Sequence, residues 1–154
     1  MEIQCLMMGK NRFSQTNDLL AMYTKRIQAF APFKVETIKA ASPKLNTTAA
    51  LKEETQKWDK KIKPQAIVVM LDERGKQWTS KDFAQKINTE AANGIPCMQF
   101  LFGSAYGFHQ SMYERSYELL SISKMTMMHD WARLCFLEQI YRAFTINRNM
   151  PYHH

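Results

Sequence analysis

The chain has 154 residues, 45% of them hydrophobic and 23% charged, with only 5 Gly and 5 Pro; this is the composition of one ordered globular domain and excludes a disordered or low-complexity chain. The net charge of +7 is uneven, with 12 Lys and Arg against 6 Asp and Glu in residues 1–63 and 9 against 8 in residues 64–154, so an acidic partner competes with the plainer reading of a solvated Lys-rich helix over residues 52–63. The longest apolar run, residues 66–71, is far too short to span a bilayer, and the opening Met1-Glu2-Ile3-Gln4 makes a poor signal peptide; the expectation is a cytoplasmic protein with no membrane partner.

In chain order, residues 3–8 form an apolar run that Gly9 ends, the pattern of a buried strand. Ser14 or Thr16 is placed to cap a helix with Leu19, Leu20, Tyr23, Ile27 and Phe30 on its inner face, stopped by Pro32. Residues 33–38 alternate as a second strand, and residues 39–46 read as a loop. Leu51, Thr55, Trp58 and Ile62 mark one face of a helix ended by Pro64. Residues 66–71 are apolar throughout, as in a strand covered on both faces. A polar turn is expected over residues 72–76. A helix should then start at Thr79, with Asp82 placed to close a capping box and Asn93-Gly94 at its end. Residues 97–102 read as a fourth strand, residues 110–117 as a short helix and residues 119–123 as a fifth strand. The last helix should run over residues 130–147, with Leu134, Leu137, Ile140, Tyr141 and Phe144 inward. Alternating strands and helices imply an α/β fold with a mostly parallel sheet, and nothing divides the chain, so residues 1–154 are read as a single domain. Cys5, Cys97 and Cys135 have no metal or redox spacing and read as buried reduced thiols.

Open α/β sheets bind ligands beyond the carboxyl ends of their strands. Three such ends have unusual composition: residues 71–75, residues 102–107 with Gly103 and Gly107, and residues 121–126. The glycine pair lacks both the dinucleotide and the phosphate-loop spacing. Residues 121–126, polar between apolar segments, offer backbone donors and small hydroxyls of the kind that suit a purine-bearing ligand; a capping stretch is the plainer alternative. Ser104 lacks the nucleophile-elbow spacing, and the adjacent His153-His154 pair has no zinc-ligand spacing, so no metal site is expected.

Leu71-Asp72 with Gly75-Lys76, Phe102-Gly103 to Gly107, and Leu120-Ser121-Ile122-Ser123-Lys124-Met125-Thr126 occur in this order. His129, Arg133, Glu138-Gln139, Tyr141-Arg142-Ala143 and the terminal Pro151-Tyr152-His153 follow. With this set, and with the length and pattern of its first half, the whole chain resembles the RlmH family, small methyltransferases of the SPOUT, or trefoil-knot, superfamily. That resemblance implies a parallel sheet whose C-terminal segment makes a deep trefoil knot, a rare exception to unthreaded connections. It implies S-adenosylmethionine-dependent methylation at N3 of a pseudouridine in large-subunit ribosomal RNA, with the assembled ribosome as substrate. By motif matching, Leu71, Gly103, Ile122, Ser123, Lys124, Met125, Thr126 and Met127 would hold the donor. His153 would be a base, Arg142 would stabilise charge, and Tyr152 would stack on the target base. The family's tail lies near the donor of a partner subunit, so a homodimer is implied. The surplus of apolar side chains on the last helix, Trp131 and Phe136 among them, agrees with that. The rival reading is a non-catalytic knotted module that binds RNA or the ribosome through its basic first half.

Overall fold

The computed structural model describes residues 1–115 and 117–152. Five strands and five helices follow in the order β1 (Glu2–Met8), α1 (Ser14–Gln28), β2 (Phe33–Ile38), α2 (Thr47–Asp59), β3 (Ala66–Lys76), α3 (Ser80–Ala92), β4 (Cys97–Phe102), α4 (Gln110–Tyr113), β5 (Glu118–Leu120) and α5 (His129–Asn147). The strands make one sheet in the order β2-β1-β4-β3-β5, and every pairing is parallel.

The apolar strands are covered on both faces, as parallel sheets require. Alternation divides their side chains between two cores. Ile3, Cys5 and Met7 of β1 join Phe100 and Phe102 of β4 and Phe136, Leu137 and Ile140 of α5. Leu6 and Met8 point the other way, with Leu101, Trp58 of α2 and Met112 of α4. Two glutamines sit in this interior and satisfy each other. The Gln99 amide donates to Gln4 Oε1 (2.9 Å) and the Lys61 carbonyl (3.0 Å), and its own oxygen accepts from Lys63 N–H (2.8 Å).

Several local expectations hold. Thr79 and Asp82 form the reciprocal capping box of α3. Others are corrected. Neither Ser14 nor Thr16 caps α1; its N-cap residue is Phe13, which gives no side-chain cap. The carboxylate of Asp130, on α5, takes the N–H groups of Arg12 and Phe13, both at 2.9 Å, and the Thr16 hydroxyl at 3.1 Å. Leu19 is exposed, because the buried positions of α1 are Thr16, Leu20 and Ile27, and Leu19 lies to one side of that stripe. Cys135 is also exposed, whereas Cys5 and Cys97 are buried. Phe136 belongs to the core and not to an outward surplus; Trp131, 51% exposed, is the large apolar side chain that α5 presents to solvent.

The polar turn expected over residues 72–76 is an irregularity inside a longer β3. Leu71 and Lys76 both lie in register with Leu120, so the intervening residues bow out of the ladder. Gly75 allows this, since a Cβ there would stand 2.6 Å from the backbone of Leu120. On the other side, β5 ends at Leu120 and not at residue 123. Ser121 donates its N–H to the Lys76 carbonyl (3.0 Å) and its hydroxyl to the Ser123 carbonyl (2.8 Å), which turns the chain away. The short helix before it is one turn, Gln110–Tyr113, rather than residues 110–117.

The basic stretch over residues 52–63 is compensated in part within the chain, Lys52 and Lys60 having no ion pair among the described residues. Lys57 pairs with Glu53, Lys61 with Glu36, and Lys63 with Glu2. A Lys-rich stretch is therefore a weak guide to where an acidic partner would sit.

Candidate active site

The bowed residues of β3, the turn after β4 and the loop after β5 all leave the same end of the sheet, and they close around one cleft of about 460 Å³. Its walls are residues 71–74, residues 102–107 and residues 120–127 except Lys124, with Tyr113, His129 and Ala132 completing them. All three strand ends singled out from sequence therefore meet in one place. Leu71, Gly103, Ile122, Ser123, Met125, Thr126 and Met127 line the cleft; Lys124 is exposed on the same loop and is not part of the lining.

The β4 turn is closed by a bridge between Ser104 and Gly107, with Gly107 N–H donating to the Ser104 carbonyl (2.9 Å). Gly103 is small for the sake of this turn. A Cβ on it would lie 2.6 Å from the Gly107 carbonyl oxygen and 3.1 Å from the Phe108 ring. The space it leaves is filled by the protein's own backbone, not held open for a ligand. The Ser104 hydroxyl is buried and has no hydrogen-bond partner among the described residues.

Opposite the turn, Asp72 carries the tightest polar cluster of the cleft. Its carboxylate accepts the Arg74 backbone N–H (2.9 Å), Arg74 Nε (2.9 Å) and Nη2 (3.0 Å), and the Tyr113 hydroxyl (2.6 Å). The Arg74 guanidinium lies over the Tyr113 ring, 4.3 Å from its centroid. Burial alone would raise the Asp72 pKa, but the hydrogen bonds from Arg74 and Tyr113 outweigh it and hold the carboxyl at about 2. Burial and the Asp72 carboxylate push the Tyr113 phenol up to about 12. Tyr113 had no sequence signal as a site residue, because its partner is 41 positions away. Because the folded pKa of Asp72 lies below its ordinary value of 3.8, its stabilisation is fully present above pH 4 and is lost as pH falls through about 2. Urea denaturation across that window should show stability falling with acid, and Asp72→Asn should lose this part of the pH dependence.

On the loop after β5, the Ser123 hydroxyl accepts from Met125 N–H (3.0 Å), and the Thr126 hydroxyl donates to Glu73 (3.2 Å), tying two walls together. His129 opens α5 at the rim. Partial desolvation and then the Arg133 guanidinium hold its pKa below the usual histidine value, against the opposing pull of Asp130. Arg133 is a structural group. Buried in the chain, it donates to the Met8 carbonyl, the Gly9 carbonyl (3.1 Å) and Asn11 Oδ1 (2.8 Å).

Arg142 and Tyr152 lie elsewhere. Arg142 pairs with Glu138 (2.6 Å) and stacks over the Tyr152 ring, 4.8 Å from its centroid. Tyr152 packs edge-on against Tyr141, with centroids 4.8 Å apart, and its hydroxyl donates to Glu138 (3.2 Å). At a helical rise of roughly 1.5 Å per residue, Arg142 stands about 15 Å along α5 from Ala132, the last cleft residue on that helix. His153 and His154 fall outside the described residues. Beside α5, Leu19 and Met22 of α1 and Trp78, Leu134 and Cys135 line a second, more apolar groove of about 610 Å³.

Among the described residues, no group of three or more His, Cys, Asp and Glu is placed to hold a metal, and no helix is long and apolar enough to cross a membrane. A crystal structure of a methylase family protein from Neisseria gonorrhoeae shares the fold, with a TM-score of 0.53 over 91% of this chain and 81% of that one at 11% identity. A relative from Christiangramia forsetii named Ribosomal RNA large subunit methyltransferase H is 37% identical over 160 residues, covering 100% of this chain and 99% of that protein. A relative of the same name from Bacteroides fragilis is 40% identical over 138 residues, or 86% of this chain and 85% of its own. The family model described as predicted SPOUT methyltransferase matches residues 1–153, and with it the fold and the end-to-end relatives agree: the chain belongs to the SPOUT methyltransferase family.

Proposed function

We propose that this chain methylates N3 of a pseudouridine in large-subunit ribosomal RNA on the assembled ribosome, with S-adenosylmethionine as donor. The observation that carries the reading is the convergence of three strand ends on one cleft in a chain whose relatives are named for ribosomal RNA methylation. The cleft has the volume of a small-molecule site. Its lining suits a nucleoside carrying a sulfonium: apolar Leu71, Ile122 and Met127, a turned backbone over residues 121–125, and the carboxylate of Glu73 at the edge. When bound, the donor supplies an electrophilic methyl group, so what the protein adds is alignment and charge. Leu71, Gly103, Ile122, Ser123, Met125, Thr126 and Met127 would hold it, with Lys124 beside them on the loop. The reading includes the family's deep trefoil knot.

Proton loss from N3 needs a base or a cation near the forming anion. His153 is the proposed base, Arg142 the cation, and Tyr152 the ring that stacks on the target base. Because Arg142 stands well along α5 from its own cleft, with the Tyr152 ring packed beneath it, the two would serve the cleft of a second copy. The apolar groove beside α5 and exposed Trp131 would meet that copy in a symmetric dimer.

Incubating unmodified ribosomes with the protein and methyl-labelled donor should place label in large-subunit ribosomal RNA. Calorimetry with the demethylated donor product should give one site per chain. Ribosome binding with neither label nor product binding would favour the non-catalytic module and defeat this reading.

A further inference from the structure

The loop between β1 and α1 is held with unusual care for a surface segment. Asp130 and Arg133, 3% and 2% exposed, are both spent on it. Asp130 accepts from the Arg12 and Phe13 backbone, and Arg133 donates to the Met8 and Gly9 carbonyls and to Asn11. Burying two charges is costly unless they are hydrogen-bonded in place, so the arrangement specifies one loop conformation. What that conformation displays is polar and aromatic. Lys10 and Arg12 are exposed and make no ion pair among the described residues, and they stand close in sequence to each other and to an exposed ring. In the stretch 52–63, by contrast, Lys57, Lys61 and Lys63 are paired and only Lys52 and Lys60 are not. Phe13 is 43% exposed.

The loop also leaves the sheet beside the cleft. Met7 is in register with Phe102, the residue before Gly103, so β1 and β4 end at the same edge of the sheet and the two following loops start side by side. The same turn of α5 that carries Asp130 and Arg133 carries His129 and Ala132, which line the cleft. The Asp130 carboxylate takes the N–H groups of Arg12 and Phe13, just before α1, so this helix end already carries a negative charge that opposes an incoming anion. Any attraction for an anion must come from the Lys10 and Arg12 side chains.

We propose that residues 10–13 are a contact for single-stranded RNA at the lip of the cleft, with Lys10 and Arg12 meeting backbone phosphates and Phe13 stacking on a base next to the target. This rests on the reading of the cleft as a ribosomal RNA methyltransferase site. Exposed cations beside an exposed ring are the chemistry that grips unpaired RNA, where phosphate contacts give salt-dependent affinity and stacking gives salt-independent affinity. Asp130 and Arg133 act as positioning residues for the loop.

The test uses the full chain and unmodified ribosomes, with association measured across a monovalent salt series. Lys10→Ala with Arg12→Ala should weaken association by about 10-fold or more and lower the salt slope by roughly 1.4, two phosphate contacts at about 0.7 each. Phe13→Ala should weaken it by about 10-fold with the slope unchanged, and Phe13→Trp should restore it. Binding of the demethylated donor product should be unaffected in all three, because none of these side chains lines the cleft. Wild-type association and slope in the double variant, with the wild-type protein active, would overturn the loop assignment alone. A wild-type protein that neither binds nor methylates ribosomes would overturn both it and the proposed activity.

Discussion

Deleting residues 151–154 should lower methyl transfer by about 10²-fold or more, the range lost with a general base, while folding and donor-product binding persist. The described part of this tail makes few contacts that the fold depends on. Tyr152 rests edge-on against Tyr141, lies under Arg142 and donates one hydrogen bond to Glu138. Arg142 and Glu138 keep their own pair without it. An aromatic–cation contact of this kind at a partly exposed site contributes on the order of 0.5–1 kcal/mol, so the urea midpoint should move little. His153→Ala should reproduce most of the loss in rate. The distance between this cluster and the cleft of the same chain makes the prediction sharper. Mixing the tail-deleted chain with a chain impaired at Gly103 should restore activity, because a mixed dimer joins one intact cleft to one intact tail. Full activity in the truncated protein would remove His153 from the mechanism. No recovery on mixing would remove the shared site.

Gly103→Val should be the most damaging single change in the cleft, and for a steric reason internal to the protein. The first carbon of any side chain there would stand 2.6 Å from the Gly107 oxygen, 2.9 Å from its carbonyl carbon and 3.1 Å from Phe108. Two of those atoms are backbone in a turn already closed by the Ser104–Gly107 bridge, so the turn itself must move. Overpacking of this kind costs about 1–3 kcal/mol, visible as a lower urea midpoint at unchanged m-value. The same displacement shifts one wall of the cleft, so affinity for the demethylated donor product should fall by roughly 10-fold or more, about 1.4 kcal/mol. Gly103→Ala should show the same two effects at smaller size. Wild-type stability and product affinity in Gly103→Val would mean that this turn neither packs as described nor borders the donor.

What the sequence determined by itself was whatever depends on neighbours along the chain. The continuous apolar run over residues 66–71 of β3 announced a strand covered on both faces, because a parallel sheet between helices shields both sides of its strands from water. The capping box of α3 was legible because Thr79 and Asp82 satisfy each other within one turn. The three cleft-forming segments could be picked out because polar and glycine-rich residues stand where apolar strands end. Tertiary structure alone decided the rest. The chain entering α1 is held by Asp130, more than a hundred residues away, through the N–H groups of Arg12 and Phe13, and nothing around Ser14 or Thr16 encodes that choice. Asp72 is ionised and fixed because Tyr113 and Arg74 converge on it, and the bow in β3 that lets them do so depends on Gly75 passing the backbone of Leu120. Leu19 and Cys135 fit apolar patterns yet face outward, since periodicity identifies a stripe but not which neighbouring elements arrive to cover its edges. A hydrogen-bonding group has many possible partners of equal local merit, and the one it finds is set by which strands and helices the two cores draw together.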